Sequence, residues 1–171
     1  MRHFNITNCE KIVQNILNMN SELKFRLAKK DDLIDIVRML SDDTLGASRE
    51  QFKPILSDNY LKAFENISND PNQELTIVEM NGEKIGTFQL TFIQYLTHQG
   101  GLRAQIEAVR TSSNYRGKGI GTAVFKYIIE RAKQKGCNML QLTSDKQRSQ
   151  AIKFYETVGF IASHEGMKLK I

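Results

Sequence analysis

The chain of 171 residues lacks several features by which other classes of protein are recognised. It has no tryptophan, and its two cysteines, Cys9 and Cys137, stand far apart in the sequence. We read both as free thiols rather than a disulfide framework, and we expect a reducing, cytoplasmic compartment. The three histidines, His3, His98 and His164, are scattered without the spacing of metal ligands, so we predict no metal site.

Long apolar segments are also missing from the sequence. No apolar run approaches the roughly 20 residues that a membrane-spanning helix needs. Residues 1–20 are polar and mixed, unlike a secretory signal. No run of Lys or Arg is longer than two residues, and no platform of aromatic and basic residues is visible. We therefore expect neither a membrane nor a nucleic acid as a partner.

Length and patterning indicate a single domain. A chain of this size most simply folds as one domain with its own core, here residues 23–171. Residues 1–22 form an N-terminal extension outside the main pattern, and Ile12, Ile16 and Met19 indicate a short helix within it.

The net charge of +5 is unevenly distributed along the chain. Residues 101–136 hold eight Lys or Arg against two acids, whereas residues 31–70 hold nine acids against four bases. The basic part suits a phosphate-bearing ligand, and the acidic part suits a cationic one. The alternative for both parts is an ordinary solvated surface.

Hydrophobic periodicity predicts alternating strands and helices. Asn81-Gly82 marks a hairpin turn, and the strand–helix–strand order of the second half implies parallel crossovers. The fold class is therefore α/β (α+β), with a mixed central sheet of six to seven strands flanked by about four helices. The predicted strands cover residues 23–27, 75–80, 84–93, 102–110, 139–144, 160–164 and 167–171, and the predicted helices cover residues 32–40, 52–67, 119–135 and 151–158.

A glycine-rich segment, residues 116–122, lies between a predicted strand and an amphipathic helix. Its glycines match neither the dinucleotide fingerprint nor the P-loop spacing. Residues 114–127 contain no acid, although acids are favoured in a first helical turn, and Arg116 and Lys118 stand there instead. Backbone N–H groups at a helix N-terminus bind anions, so we predict a pyrophosphate cradle. A flexible turn before a helix is the alternative.

The strand before this segment, residues 102–110, has one polar face. Arg103, Gln105, Glu107 and Val109 alternate with apolar residues. A strand that feeds a parallel crossover is usually apolar on both faces. The polar residues therefore indicate that this face lines a cleft, whereas an edge strand with a solvated face is the alternative.

Two motifs together resemble the GNAT (Gcn5-related N-acetyltransferase) superfamily over residues 24–171. Arg116, Gly119 and Gly121 fit the family pattern [Q/R]xxGx[G/A]. Residues 151–160, AIKFYETVGF, fit the pattern AxxFYExxGF. Either motif alone is moderate evidence, but both occur at the expected separation and in the expected order of elements.

The resemblance implies that acetyl-CoA is the donor and that a primary amine is the acceptor, with direct transfer in a ternary complex. It assigns the pantetheine arm and the thioester to backbone groups on the strand, and the pyrophosphate to the N–H groups of the glycine segment. The implied donor-binding residues are Val109, Arg110, Thr111, Arg116, Gly117, Lys118, Gly119, Ile120, Gly121, Thr122 and Arg148.

The resemblance also suggests an acid and a base. Glu107, two residues before Val109 in the sequence, is the candidate base that deprotonates the amine, directly or through water. Tyr155 matches the family's tyrosine acid, which protonates the departing thiolate. Glu107 could instead orient the acceptor or pair with Arg103, and Tyr155 could be a core aromatic residue.

One position departs from the family pattern. Arg148 stands where many members carry an asparagine that contacts the pantetheine arm. The alternatives are that Arg148 makes a different cofactor contact, such as one to a phosphate group, or that Ser149 or Gln150 substitutes for the asparagine. The closing strands are short, so the acceptor pocket could be open or completed by a second chain, and a homodimer is our hypothesis.

The resemblance implies that residues 31–70 and the closing strands determine which acceptor the protein binds. Five acids in the first of these segments weakly favour a small cationic amine, with a protein amine as the alternative: Asp42, Asp43, Glu50, Asp58 and Asp70.

A rival function is a sensor or structural module that binds acyl-CoA without turnover. Glu107 and Tyr155 favour the enzyme, because a non-catalytic domain need not keep them.

Overall fold

The computed structural model describes residues 23–42, 44–50 and 52–171. The N-terminal extension with its helix prediction, and Asp43, lie outside this part of the chain. Among the described residues, none of the helices combines the length and the apolar character that a transmembrane segment requires.

A mixed sheet of five strands forms the centre of the molecule, in the order β1-β2-β3-β4-β5. The first four strands pair in antiparallel fashion, and β5 pairs with β4 in parallel. The helix that joins β4 to β5 is the predicted crossover, so the fold class is confirmed. The strands are β1 Leu23–Leu27, β2 Gln73–Met80, β3 Glu83–Gln94, β4 Leu102–Thr111 and β5 Met139–Leu142.

Within the described residues, four helices of eight or more residues pack on this sheet. They are α1 Leu33–Leu40, α2 Asp58–Asn69, α3 Ile120–Gln134 and α4 Ser149–Thr157. The shorter described elements are a helical turn at Thr44–Ala47, a turn at Thr97–Gly100 with left-handed backbone at His98 and Gln99, and 3₁₀ turns at Lys30–Asp32 and Ser113–Tyr115.

The second helix starts later than the sequence predicts. It begins at Asp58 after the extended residue Ser57, so Phe52 and Pro54 precede it. The Ser57 backbone, at φ −69° and ψ 153°, has the extended geometry of an N-cap residue. Proline disfavours the helical conformation of the residue before it, so a helix cannot easily run through Pro54 from Phe52.

The hairpin between β2 and β3 forms at the predicted position. Asn81 and Gly82 both take positive φ values, 52° and 81°. Type I′ turns require this geometry, and asparagine followed by glycine tolerates it well.

Two hydrophobic cores lie on opposite faces of the sheet. On one face, the inward side of α3 packs on β3 and β4. All four residues predicted to face inward on α3, Ile120, Val124, Ile128 and Ala132, are buried. On the other face, α1 and α2 pack on Leu75 and Ile77 of β2, and α1 also contacts β3 and β4.

The two predicted closing strands are wrong. Residues 158–171 form no strand, and β5 ends at Leu142 rather than Ser144. Ile161, Met167 and Leu169 are 84%, 94% and 88% exposed. The alternation of Met167-Lys168-Leu169-Lys170-Ile171 satisfies the local pattern of a strand, but a strand also needs a partner along its length, and these residues pair with none.

Candidate active site

The central feature of the site is a β-bulge in β4. Ala108 has φ 54°, and the pairing with β3 shifts between Gln89–Glu107 and Thr87–Arg110. Three steps along β4 thus match two steps along β3, which is the signature of one inserted residue.

The bulge changes which face Val109 occupies. Simple alternation predicts Val109 on the same face as Glu107, but Val109 packs with the core under α3. Glu107 is exposed and lies opposite Gln89 on the other face. The prediction was wrong at Val109 because an inserted residue reverses the alternation beyond it.

Beyond the bulge, one edge of β4 is open. β5 pairs with β4 only from Arg103 to Ile106, whereas β4 continues to Thr111. Within the described chain, no strand covers the β5-facing edge of residues 107–111. Such an edge presents backbone N–H and C=O groups that can pair with an extended ligand.

The glycine segment forms a left-handed loop that leads into α3. Gly117 and Gly119 have φ values of 73° and 82°, and Gly119 directly precedes the helix. A Cβ atom at either position would meet no atom within 4 Å. The first turn of α3 contains no acid. The loop is thus an open concavity at a helix N-terminus, which suits an anionic group.

Gly121 has a different structural reason to be glycine. A Cβ atom there would lie 3.2 Å from Cζ of Phe154 on α4. The absence of a side chain therefore lets α4 pack closely against the start of α3.

Arg116 anchors the segment that follows α1 onto this loop. Its Nη2 donates to Asp42 Oδ2 at 2.9 Å and to the Asp42 carbonyl at 2.8 Å, and its Nε donates to the Thr111 carbonyl at 3.0 Å. The Ser113 N–H also donates to Asp42 Oδ2, at 3.1 Å. Local patterns give no signal for a pair 74 residues apart, so sequence reasoning missed it.

A second carboxylate holds the other side of the loop. The Tyr115 hydroxyl donates to Glu83 Oε2 at 2.5 Å, which raises the pKa of Tyr115. Lys118 Nζ lies 5.3 Å from the centroid of the Tyr115 ring. Lys118 thus remains at the loop, in the region that the sequence predicts for phosphate.

Tyr155 packs in an aromatic cluster next to two arginines. Its ring centroid lies 5.5 Å from that of Phe125 and 6.2 Å from that of Phe160. Burial raises the pKa of Tyr155, while the charges of Arg110 and Arg148 oppose that shift. The hydroxyl is therefore protonated at neutral pH, as a proton donor must be. Packing and the suggested acid role are compatible at this position.

Two of the predicted donor-binding residues lie near enough to Tyr155 to affect its pKa. They are Arg110 on β4 and Arg148, which directly precedes α4, and their charges lower the pKa of Tyr155. The Arg110 Nη1 donates to the Val109 carbonyl at 2.9 Å. The Arg148 N–H donates to the Asp145 carbonyl at 2.9 Å.

Glu107 does not pair with Arg103, which was one alternative for its role. Arg103 Nη1 donates instead to Gln141 Oε1 at 2.8 Å, and its guanidinium Cζ lies 3.2 Å from the centroid of the Tyr95 ring. Within the described ranges, Glu107 makes no ion pair.

Polar side chains extend from Glu107 and Arg103 across this face of the sheet. Four of them are register partners on the neighbouring strands β2 to β5: Gln73, Thr91, Gln105 and Gln141. Gln141 donates to Gln105 at 2.7 Å within this row, and Gln89, two residues before Thr91, donates to Gln73 at 2.8 Å. We call this surface the polar face. Its members are Gln73, Gln89, Thr91, Arg103, Gln105, Glu107 and Gln141.

His98, His164 and Cys137, the histidines and the cysteine that the structure describes, lie outside this arrangement. His98 is exposed in the β3–β4 turn, and His164 is exposed beside Ser163. Burial raises the pKa of the Cys137 thiol, so it is a poor nucleophile at neutral pH. In the part of the chain that the structure describes, no three His, Cys, Asp or Glu side chains cluster as metal ligands would.

Comparison with known proteins identifies the family. The model of the acetyltransferase (GNAT) family matches residues 37–160, which is most of the chain. The chain therefore belongs to the GNAT family.

Individual relatives agree with this assignment. A solved structure described as a transcriptional regulator from Bacillus halodurans C-125 is 48% identical, with a TM-score of 0.84 over 87% of this chain and 99% of that one. An uncharacterized N-acetyltransferase of Methanocaldococcus jannaschii is 24% identical over 89% of this chain and 66% of its own length. An aminoalkylphosphonate N-acetyltransferase of Salmonella typhimurium is 28% identical over 56% of this chain and 61% of its own length. The chain thus spans less than two thirds of the length of these two curated relatives.

Proposed function

We propose that the protein transfers an acetyl group from acetyl-CoA to the primary amine of a small acceptor, directly within a ternary complex. The observation that carries the proposal is the open edge of β4 beyond Ile106, together with the positive-φ loop at Gly117 and Gly119, which Arg116 ties to the Thr111 carbonyl at the end of β4. Membership of the GNAT family supports the same chemistry.

Acetyl-CoA supplies an activated acetyl group, and the chain supplies two features that fit it. The N–H groups of residues 117–122 would hold the pyrophosphate, with Lys118 adding positive charge and Arg116, which is paired with Asp42, holding the loop in place. The open edge of residues 107–111 would pair with the amide groups of the pantetheine arm. Arg148, in place of the family's asparagine, would add a cation near the same arm.

The chain's own residues would handle the protons of the reaction. Glu107 would take one proton from the acceptor ammonium, directly or through water. The amine nitrogen would then bond to the acetyl carbon while the bond from that carbon to sulfur breaks. An N–H group of the bulge near Val109 would stabilise the negative oxygen of the transition state. Tyr155 would donate its proton to the departing sulfur, and the second proton that the nitrogen loses as the amide forms would restore the Tyr155 hydroxyl, directly or through water.

The acids of residues 31–70 give less support to a cationic acceptor than their number indicates, because several are already paired. Asp42 binds Arg116, Asp35 binds Lys84, and Glu50 accepts from Tyr60. If the double variant Asp42→Asn, Asp43→Asn keeps the same acceptor profile, the cationic preference should be dropped.

A thermal shift assay with acetyl-CoA, CoA and ATP at equal concentrations tests the donor. At 100 times Kd, binding adds about 2.7 kcal/mol of stability, which corresponds to roughly 5–10 °C for a domain of this size. We expect this shift with both CoA species and not with ATP. Thiol release on addition of amines then tests transfer. No shift with either CoA species would overturn the proposal.

A second candidate is a sensor that binds acyl-CoA without turnover. The observation that favours it is the 48% identity to a protein described as a transcriptional regulator. The same pair of assays separates the two functions. CoA-dependent stabilisation without thiol release across a broad amine panel would favour the sensor.

A further inference from the structure

We propose that Arg103 recognises an anionic group of the acceptor, so that the acceptor is an amine carrying a carboxylate, phosphate or phosphonate several bonds from its nitrogen. This inference rests on the proposed function, because it defines the acceptor class of the same site.

The polar face is the part of the sheet available for an acceptor. Core residues of α1 such as Ile36 and Met39 pack on Leu75 and Ile77 of β2. The members of the polar face belong to neither core, and those on β3, β4 and β5 are partly or fully exposed. Amide and guanidinium groups on an open face favour a ligand rich in hydrogen-bonding atoms over an apolar one.

Arg103 is held in place before any ligand arrives. Its guanidinium stacks on Tyr95 and donates to Gln141, and Gln141 in turn donates to Gln105. These contacts restrict a side chain that would otherwise lose considerable rotamer entropy on binding. The guanidinium of Arg103 is therefore preorganised to donate hydrogen bonds to a group with two acceptor oxygens.

The charge of Arg103 is not neutralised within the described chain. Arg26, Arg116 and Arg131 each form an ion pair with Asp or Glu, whereas Arg103 has no carboxylate partner among the described residues. Glu107, on the same face, also makes no ion pair there. The guanidinium of Arg103 and the carboxylate of Glu107 thus lie unpaired on the same surface. This surface is complementary to a zwitterion that places its ammonium group at Glu107 and its anionic group at Arg103.

The spacing of these two charges restricts the acceptor further. Arg103 and Glu107 are four residues apart on β4, which corresponds to about 13 Å between Cα atoms. Arg103 donates to Gln141, the register partner of Gln105, which lies two residues along and one strand spacing across from Glu107, at about 8 Å. The amine and the anion should therefore be roughly 8–13 Å apart, which is longer than in the α-amino and α-carboxyl groups of an amino acid.

The test compares acceptors that differ only in the anion. Hexylamine, 6-aminohexanoate and 5-aminopentylphosphonate are assayed with the wild type, Arg103→Gln and Arg103→Lys. Lys126→Gln is the matched control, because Lys126 is exposed on α3, on the opposite side of the sheet. Melting temperatures establish that each variant is folded.

We expect the wild type to prefer an anionic amine over hexylamine, and its choice between carboxylate and phosphonate identifies the group. In Arg103→Gln, the ratio of kcat/KM for the preferred anionic amine over hexylamine should fall at least about tenfold, as expected for the loss of a charge-assisted hydrogen bond. In Arg103→Lys, this ratio should lie between those of the wild type and Arg103→Gln. In Lys126→Gln, the ratio should equal that of the wild type. An unchanged ratio in folded Arg103→Gln overturns the inference.

A binding assay separates this inference from the proposed function. 6-Aminohexanoate can raise the melting temperature of the wild type and not that of Arg103→Gln, without any release of thiol. That outcome would support anion recognition by Arg103 and contradict acetyl transfer. If the anionic amines are neither bound nor acetylated in preference to hexylamine, the anion site fails whatever the outcome for transfer.

Discussion

Tyr155 has a packing role in the structure, and we propose a chemical role for it as well. Its ring belongs to a cluster with Phe125, Phe154 and Phe160, so its residue type is explained by packing alone. Yet burial also raises the pKa of its hydroxyl, and a protonated hydroxyl is what a departing thiolate requires. The two roles must therefore be separated by a change that keeps the ring.

Tyr155→Phe is such a change. We expect kcat to fall by about 10²-fold or more, the typical contribution of general acid catalysis, with little change in the affinity for acetyl-CoA. Steady-state kinetics and a thermal shift with CoA measure the two quantities. Because the pKa of Tyr155 is raised, its hydroxyl loses its proton only above the ordinary value of about 10. A kcat that declines through pH 8–9 because Tyr155 ionises would contradict the assignment.

Asp32 is a residue whose importance only the tertiary structure reveals. Its side chain is 3% exposed, and it accepts from Arg26 Nη1 at 2.6 Å and from Lys84 Nζ at 2.8 Å. Local patterning explains Asp32 only as a cap of α1, but its side chain accepts no cap hydrogen bond from that helix. It accepts instead from the Lys29 N–H, at 2.7 Å. The hydrogen bond from Arg26 is the main reason that the pKa of Asp32 is well below its usual range.

The acid stability of the protein should depend on Asp32. A carboxylate with a lowered pKa contributes stability that is present above its unfolded pKa, about 4, and is lost as the pH falls towards the folded value. We expect Asp32→Asn to cost about 3 kcal/mol at pH 7, the low end for breaking a buried ion pair, because Arg26 and Lys84 are each about 30% exposed. Urea unfolding at pH 7 and at pH 3 measures the effect.

Asp31→Asn is the control for this comparison, since Asp31 is exposed. If the difference in stability between wild type and Asp32→Asn is as large at pH 3 as at pH 7, the ion network is not its source.

At the scale of elements, the loop before α3 depends on backbone conformation. Gly119 has φ 82° and precedes the helix, while a Cβ atom there would have open space. The glycine is therefore required by its backbone angle and by access for a ligand, and not by internal packing. Gly121 differs, because its neighbour Phe154 leaves little room for a side chain.

A pair of variants at Gly119 tests this distinction. Gly119→Ala should cost about 1 kcal/mol, because an L-residue is strained in the left-handed region. Gly119→Asn should cost less, because asparagine tolerates that region. Both should weaken CoA binding if side-chain bulk blocks the cradle, as thermal shifts with CoA would measure. Unchanged CoA affinity in both variants would contradict the cradle.

At the scale of the whole molecule, the residues after α4 leave an apolar surface. Ile161, Met167 and Leu169 are largely exposed. The last strand before this segment is β5, which lies at the edge of the sheet and has a partner on one side only. Exposed apolar residues beside an unpaired sheet edge favour association, and a second copy of the chain would cover them.

We therefore expect a homodimer at micromolar concentration, measured by sedimentation equilibrium. Met167→Lys with Leu169→Lys should shift the protein to the monomer, whereas the control variant Lys168→Gln should not. A wild-type protein that is monomeric at micromolar concentration would rule out this hypothesis.

The sequence determined the features that depend on near neighbours. Asn81-Gly82 specifies its turn, the inward stripe of α3 specifies its buried face, and the glycine loop specifies its left-handed backbone. These are properties of a few consecutive residues or of one helical period, so they can be read before the fold is known.

The tertiary structure decided what depends on distant partners. The bulge at Ala108 places Val109 in the core under α3. Asp42 forms an ion pair with Arg116, and the residues after α4 have no strand partner among the described residues. The tertiary structure also set Arg103 against Tyr95 and Gln141 instead of Glu107. Each of these outcomes is a competition between contacts far apart in the chain, and local sequence patterns carry no record of which contact wins.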